Sequence, residues 1–460
     1  MTEPADSTLV DFSLPTQEER KVVSISVSLN HPLLQLKRAL DWGELEAVMR
    51  KYWRKAGKNV DGGRGLSFPV LFYVRLLVLM SVKSLNSRQM EEYIGESVVA
   101  RLFLEVEEEM KFQIKDHSSI ARAQAALGEE GYEQVNHLIV KEAVGLGFGN
   151  PEMLSSDTTV QEPAIGYPHE AGILRGVAQR VARVASKLKK AGVGLTEELS
   201  GKVKDVLSYV KHYYLFAKPG EEKTQALEEI VSHSQELMKK SAEFIESGLE
   251  ESTKKVKSGV KKLEELIGFT KELFPQIKGW LATGVVASEK LLHAGITEAR
   301  AIVKKKVGKA TEFGLKWLIN RIGGGYVFGK VVSARADERL MPIEGLKHYR
   351  EVLGKKATPK MSVYDRGGSH AATTKKLKKE GVEKVAIQPK GKAEWSVVEE
   401  DRKEAISQRG KTEGVIGTLK SKRYDFNGGR QRTNETLKAS GQRSMFGMNL
   451  TNLLRDLVGK

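Results

Sequence analysis

The chain has 460 residues, 75 Lys and Arg against 59 Asp and Glu for a formal net charge of +16, and no cysteine. Its length admits two or three domains around a substantial core. The missing cysteines exclude a disulfide framework and any zinc site built on thiolates, and fit a reducing cytoplasm. A basic excess of this size points to a polyanion, nucleic acid before an anionic membrane surface, with solubility as the bland alternative. The nine His contain no His-Glu-x-x-His or similar ligand pair. The opening Met1–Asp6 is acidic and polar, unlike a signal peptide. The most apolar run, residues 66–82, holds Pro69 and Arg75 and is too short for a comfortable membrane span. The expectation is a soluble, cytoplasmic protein with no membrane partner.

Residues 1–30 read as an arm with a short strand at 22–27. Residues 31–148 read as a helical domain. Ser67 is the expected N-cap of a helix with Pro69 in its first turn, Ser87 with Glu91 opens the next, and Ser118-Ser119 opens a third. Short helices joined by tight turns give the outline of a helix-turn-helix, or equally of a plain helical bundle. Gly145, Gly147, Gly149 and Pro151 mark a boundary. The stretch around Asp157 and up to Glu170 reads as two strands of an open sheet. Residues 173–322 read as a long helical insertion rich in Lys and Glu, with lysine clusters at Lys187, Lys189 and Lys190, at Lys254, Lys255 and Lys257, and at Lys304, Lys305 and Lys306. Those clusters are either a solvated face or part of a DNA path. The triple glycine at 323–325 ends the insertion. A strand at 326–334, a helix at 344–353, a strand at 361–364, a basic helix at 371–380 and a strand at 382–387 come next, then a loop with Lys390, Lys392 and Trp395.

Two runs, Met153 to Val160 and Met361 to His370, each lead through a partly apolar strand into an Asp, at 157 and 365; the second then turns at Gly367-Gly368. In a helix spanning 409–420, Arg409, Glu413, Ile416 and Lys420 share one face. That face is either a pair of ordinary surface ion pairs or a carboxylate metal ligand flanked by cations ready for phosphate. Two strand-borne Asp and a helix-borne Glu can hold two divalent cations about 4 Å apart, the arrangement that stabilises both the attacking and the leaving oxygen of an in-line displacement at phosphorus.

Asp157, Asp365 and Glu413 resemble the Asp-Asp-Glu triad of bacterial insertion-sequence transposases, in the large group that includes the IS-four and IS-five types. That group carries a signature of Tyr, two residues, Arg, three residues, Glu, six residues, Lys; Arg409, Glu413 and Lys420 match it, whereas Ile406 stands at the Tyr. Asp365-Arg366-Gly367-Gly368 and Gly447-Met448-Asn449-Leu450 are also similar to the family's. The resemblance covers most of the chain except the long middle segment. That segment explains why the two Asp lie 365 − 157 = 208 positions apart while Asp365 and Glu413 are only 413 − 365 = 48 apart.

The resemblance implies an α/β fold: an RNase H-like mixed-sheet catalytic core at 149–172 and 323–460, with an N-terminal helical domain that helps bind the element's ends and a helical insertion. It implies two Mg²⁺ or Mn²⁺ ions on Asp157, Asp365 and Glu413, cleavage of terminal inverted repeats and then strand transfer into target DNA, and a homodimer on the DNA in a bacterial nucleoid. Arg409, Lys420, Arg366, His370, Lys390, Lys392 and Trp395 become candidate DNA contacts. His370 can instead orient Asp365, and Trp395 either stacks on an unpaired base or packs on its own domain. The alternatives are a nuclease of the same fold that cuts without joining, and a DNA-binding repressor derived from a transposase, which needs the basic surface but not the carboxylates.

Overall fold

The computed structural model describes residues 27–61, 68–106, 117–194, 196–247, 253–306, 309–391, 393–429 and 431–459. The expected arm up to residue 26, with all of its strand but Val27, the Ser67 cap and the Lys392 side chain lie outside them; residues 27–30 form an irregular stretch and a turn. Six helices come first: α1 (Pro32–Ala39), α2 (Trp42–Lys55), α3 (Val70–Lys83), α4 (Ser87–Glu96), α5 (Val98–Leu104) and α6 (His117–Gly145). Helix α3 is apolar on nearly every side and is buried accordingly. Among the described residues, no single helix is long and apolar enough to cross a membrane. Helices α3 and α4 meet at 99° across a three-residue turn. The cap of α4 is Asn86, not Ser87. Its amide oxygen accepts from the N–H groups of Arg88 and Gln89, and Gln89 Oε1 accepts from the Asn86 N–H, a reciprocal closure that Ser87 with Glu91 cannot make. Helix α6 begins at His117, so Ser118-Ser119 fall inside its first turn, and it kinks at Gly128.

The middle of the chain starts with β1 (Asn150–Gln161) and continues through α7 (Glu170–Lys189), α8 (Thr196–Leu215), α9 (Glu221–Glu246) and α10 (Lys254–Thr283). These four helices enclose their own apolar core, with Leu174, Val206, Ile230 and Leu263 fully buried. Two expectations fail here. The stretch after β1 is a loop, residues 162–169, because Pro163, Gly166 and Pro168 interrupt strand pairing. The helical segment ends at Thr283, and the chain then returns to the sheet as β2 (Arg300–Lys306) and β3 (Lys309–Gly323). Phe313, Leu315, Trp317 and Ile319 recur at every second position of β3 and so share one face of the sheet.

The last part comprises β4 (Val327–Val332), a 3-10 turn at Glu338–Leu340, α11 (Met341–Leu353), β5 (Met361–Tyr364), α12 (Ala371–Lys379), β6 (Lys384–Ile387), α13 (Glu399–Leu419) and α14 (Asn434–Val458). Strand β3 pairs antiparallel with β2 through its first half; through its second half it pairs antiparallel with β4 and with β1. Strands β5 and β6 extend the sheet from β1 in parallel. Its main order is therefore β4-β3-β1-β5-β6, antiparallel on one side of β1 and parallel on the other. The β3–β4 turn passes through Gly324 and Gly325, both at positive φ, where a side chain would be strained.

Alternation along the central strands divides the side chains between two faces. Leu154, Leu318, Ile322 and Phe328 pack with the N-terminal helices and α11. Trp317, Ile319 and Val327 pack with Leu419 and with Leu437 and Met445 of α14. Gly345 of α11 lies so close to the sheet that a Cβ there would come within 2.8 Å of Ser156 Oγ and 2.9 Å of Asn320 Oδ1. Asn449, in the Gly-Met-Asn-Leu run of α14, is fully buried and joins three elements. It accepts from the Val327 N–H at 2.8 Å, and its amide donates to the Val327 carbonyl at 2.6 Å and to Asn136 Oδ1 at 2.7 Å. Asn449→Ala should therefore lower the free energy of unfolding by about 1–3 kcal/mol, the cost of stranding buried partners. Urea denaturation checks this, and an unchanged midpoint would remove Asn449 as the anchor of β4.

Candidate active site

Three parallel pairings fix the relation of the two Asp residues. Met153 lies opposite Met361, Leu154 opposite Ser362 and Ser155 opposite Val363. The offset is 361 − 153 = 208, the same as 365 − 157, so the register carries Asp157 and Asp365 to facing positions where β5 ends. Both are partly buried. Within β1 the side-chain period of two turns Asp157 to the same side as Ser155. Asp365, the first residue after β5, caps the turn Arg366–Gly368 and feels the charges of both Glu338 and Arg409.

Helix α13 crosses that side. Ala405 packs with Met361, Val363 and Ala386. Arg321 donates to Gln408 Oε1 at 2.6 Å, and Thr412 Oγ1 donates to Ser155 Oγ at 2.7 Å. Thr412 is fully buried, and its neighbour Glu413 is thereby brought to the rim above β1, exposed. Arg409 donates to Glu413 Oε1 from Nε at 3.2 Å and from Nη2 at 3.1 Å, and to the Gln388 amide oxygen just beyond β6. Glu413 thus faces its own-helix cation. The triad oxygens do not form a closed ligand set: among the described residues, the one group of three His or carboxylate ligands with all atoms within 4.8 Å of one another lies elsewhere.

A fourth carboxylate, which no sequence motif marks, borders the site. Glu338 accepts from Thr158 Oγ1 at 3.1 Å and from the Tyr364 hydroxyl at 2.7 Å, and pairs with Lys316 Nζ at 2.7 Å. Thr158 is the residue after Asp157 and Tyr364 the one before Asp365, so Glu338 straps the two strands together beside both candidate ligands. Burial pushes the Glu338 carboxyl up, but Lys316, Tyr364 and Thr158 outweigh it and hold the group below its ordinary value. The same surroundings act oppositely on Asp365. Burial raises its pKa and the charge of Glu338 adds to the rise, against the Gly367 and Gly368 N–H groups and Arg409. The Gly367 N–H donates to Asp365 Oδ1 at 2.8 Å.

The other predicted contacts lie on the segments after β5 and β6 and at the end of α13. Arg366 and His370 are exposed; His370 Nδ1 accepts from the Ala372 N–H at 3.3 Å and caps α12, so its Nδ1 bonds to the helix rather than to Asp365. Trp395 packs against the Met361, Val363 and Ala386 cluster. It also lines a cavity of about 510 Å³ with Arg366, Gln388 and Arg402. Lys390 is exposed, and Lys420 is half-buried at the end of α13.

The donor set of the triad is all carboxylate, the hard oxygen type that suits Mg²⁺ or Mn²⁺. A carboxyl with a raised pKa is one whose negative charge the surrounding protein undercompensates. Ionised Asp365 therefore opposes folding. The penalty is absent at acid pH, where the group is protonated folded and unfolded, and is present in full above its folded pKa. Asp365→Asn should raise the melting temperature in chelator by roughly 1–2 °C at neutral pH, with the gain vanishing towards pH 3. Calorimetry at several pH values checks this; a neutral or destabilising effect at pH 7 would contradict the charge imbalance.

Residues 22–125 match the family model of a Transposase domain (DUF772). No curated protein and no solved structure matches the chain. The match covers helices α1 to α5 and the start of α6 and supports a transposase family, and with it a transposition-related function, for this chain.

Proposed function

We propose that the chain is a DNA transposase with an RNase H-like core, in which Asp157, Asp365 and Glu413 hold two divalent cations and DNA is cleaved and rejoined by phosphoryl transfer. The observation that carries the reading is the shared 208-residue offset, which brings two acidic side chains from parallel strands to one edge of the sheet. Support also comes from the strand order β4-β3-β1-β5-β6, antiparallel then parallel about a central β1, and from α13 lying across the same face. The transposase-domain match at residues 22–125 supports a transposition-related function, the coarser part of this reading.

In this reading Asp157 and Asp365 are the fixed ligands, held by β1 and β5. Glu413 is the adjustable one. Thr412 anchors its backbone, and rotation of an exposed side chain away from Arg409 brings its oxygens inward. When bound, the two cations supply charge that activates a water or a DNA 3′-hydroxyl and stabilises the departing 3′-oxygen. Arg409, released by Glu413, is free to take a phosphate by two parallel hydrogen bonds, and Lys420 adds a point charge. Arg366, His370, Lys390, Lys392 and Trp395 flank the path of the strand. The α3–α4 pair, crossing at an angle proper to a helix-turn-helix, grips the element's terminal repeats, and the assembly on DNA is a homodimer.

Asp157→Ala and Glu413→Gln should each reduce Mg²⁺- or Mn²⁺-dependent cleavage of the element's ends at least about 1000-fold, a loss of several kcal/mol of transition-state stabilisation. DNA affinity should stay within about threefold, because the basic surface is intact. Undiminished cleavage would refute the site. Cleavage without joining of the freed 3′ ends would leave a nuclease, and no cleavage by the native chain would favour the repressor. Affinity should also fall steeply between about 50 and 200 mM salt as counterions cease to drive binding; a flat profile would remove the basic surface as the DNA footprint.

A further inference from the structure

Behind the acidic edge, on the opposite face of the sheet, Glu133 and His137 of α6 meet His348 of α11. We propose that these three side chains bind one transition-metal dication of the zinc class, which ties the N-terminal helices to the sheet. The proposal is independent of the transposase reading.

Glu133 and His137 are one helical turn apart and project from one side of α6. One ligand atom from each of the three residues can be chosen so that all lie within 4.8 Å of one another. Nε2 of His348 is 3.6 Å from Glu133 Oε1, beyond hydrogen-bond distance, and the two imidazole centroids are 5.5 Å apart. The His348 side chain is completely buried. Nε2 of His137 and Nε2 of His348 are both buried without a hydrogen-bond partner, a condition native interiors rarely tolerate. Phe328 lies edge-on to both rings and closes one wall with hydrocarbon. Two imidazole Nε2 atoms without hydrogen-bond partners, one of them at ion-pair distance from the Glu133 carboxylate, are what a cation between the three side chains would satisfy.

The outer contacts fit. Asn320 lies 3.2 Å from His348 Nδ1, and its other amide atom lies 2.6 Å from Ser156 Oγ. The two ends of an amide are interchangeable at such a position. With its oxygen towards the ring, Asn320 accepts from Nδ1–H and donates from nitrogen to Ser156. The lone pair of His348 Nε2 then faces Glu133 and His137. A metal-bound His whose second nitrogen is fixed by an amide or carboxylate is the usual outer arrangement. Two imidazoles and one carboxylate favour zinc and its neighbours over Mg²⁺. Ligand atoms of a tetrahedral zinc shell are roughly 3.4 Å apart at bonds of about 2.1 Å, so closing the site takes about 1 Å of side-chain movement. Glu133 is 28% exposed, which leaves room for water as the fourth ligand.

The full-length chain, purified without a polyhistidine tag and stripped with chelator, is titrated with Zn²⁺ and separately with Co²⁺. Elemental analysis after gel filtration should find about one Zn²⁺ per chain, and Co²⁺ should give the intense visible bands of a tetrahedral site. Both signals should persist in a chain carrying Asp157→Ala and Asp365→Ala, which removes the acidic edge. Both should weaken at least about 100-fold in His137→Gln, a half-buried position chosen because His348→Gln risks misfolding. Failure of the native chain to retain either ion would overturn the proposal. So would retention equal to native in His137→Gln, or loss of the signals in the double Asp variant.

Discussion

The pairing of β1 with β5 is the constraint on which the candidate site depends. A strand presents alternate side chains to opposite faces, so a slip of one residue between these two strands would send one Asp towards α13 and the other away from it. Three backbone pairings are a short ladder for so strict a requirement. Side chains reinforce it from both faces. On one, Glu338 bonds Thr158 and Tyr364 together, each the immediate neighbour of a candidate ligand. On the other, Thr412 holds α13 against Ser155. The register is thus pinned within two residues of the Asp pair.

This polar reinforcement shapes the whole central strand. Strands buried on both sides usually read as continuous apolar runs. Strand β1 instead buries Ser155, Ser156, Thr159 and Gln161. Gln161 donates to the carbonyls of Phe426 and Leu437 and accepts from Trp317 Nε1 at 2.8 Å, which fixes the chain between α13 and α14 against the sheet. Satisfied buried networks contribute less to stability than an apolar core of the same volume, but they admit fewer packings. For a site assembled from segments 208 and 48 positions apart, selecting one packing matters more than adding depth to the energy well.

That economy also explains what could be read from the residues and what could not. The strand at 361–364, the helix carrying Glu413 and the helical character of 31–148 and of the segment from 173 to Thr283 were legible because they announce themselves locally, by period or by turn residues, whereas α5 and the unbroken length of α10 through Gly259, Gly268 and Pro275 were not. Strands β2 and β3 were not legible either: the basic run Lys304 to Lys306 continues the lysine-rich texture of α10, the alternation beyond it breaks at Leu318, and Glu312 and Lys316 read as a solvated face although they are buried. Glu338 carries no local mark at all. It matters only once Thr158, Tyr364 and Lys316 have converged from three strands. The Glu133–His137 spacing stood in the sequence as a common helical pair, and only His348, 348 − 137 = 211 positions later, makes it distinctive.

The charges at the edge of the sheet are distributed unevenly, and the unevenness has a direction. Glu338 is compensated within the fold: Lys316, itself buried, neutralises it, and two hydroxyls complete its hydrogen bonding. Asp365 receives backbone N–H groups and a more distant Arg409, which do not balance its burial and the charge of Glu338. Arg409 divides its guanidinium between Glu413 and Gln388. A fold selected for stability alone would place a cation beside Asp365, and with 75 Lys and Arg the chain has them to spare. Leaving that carboxylate undercompensated while completing its neighbour sets the two apart: Glu338 holds the strands in register, and an undercompensated Asp365 is what its proposed role as a cation ligand requires.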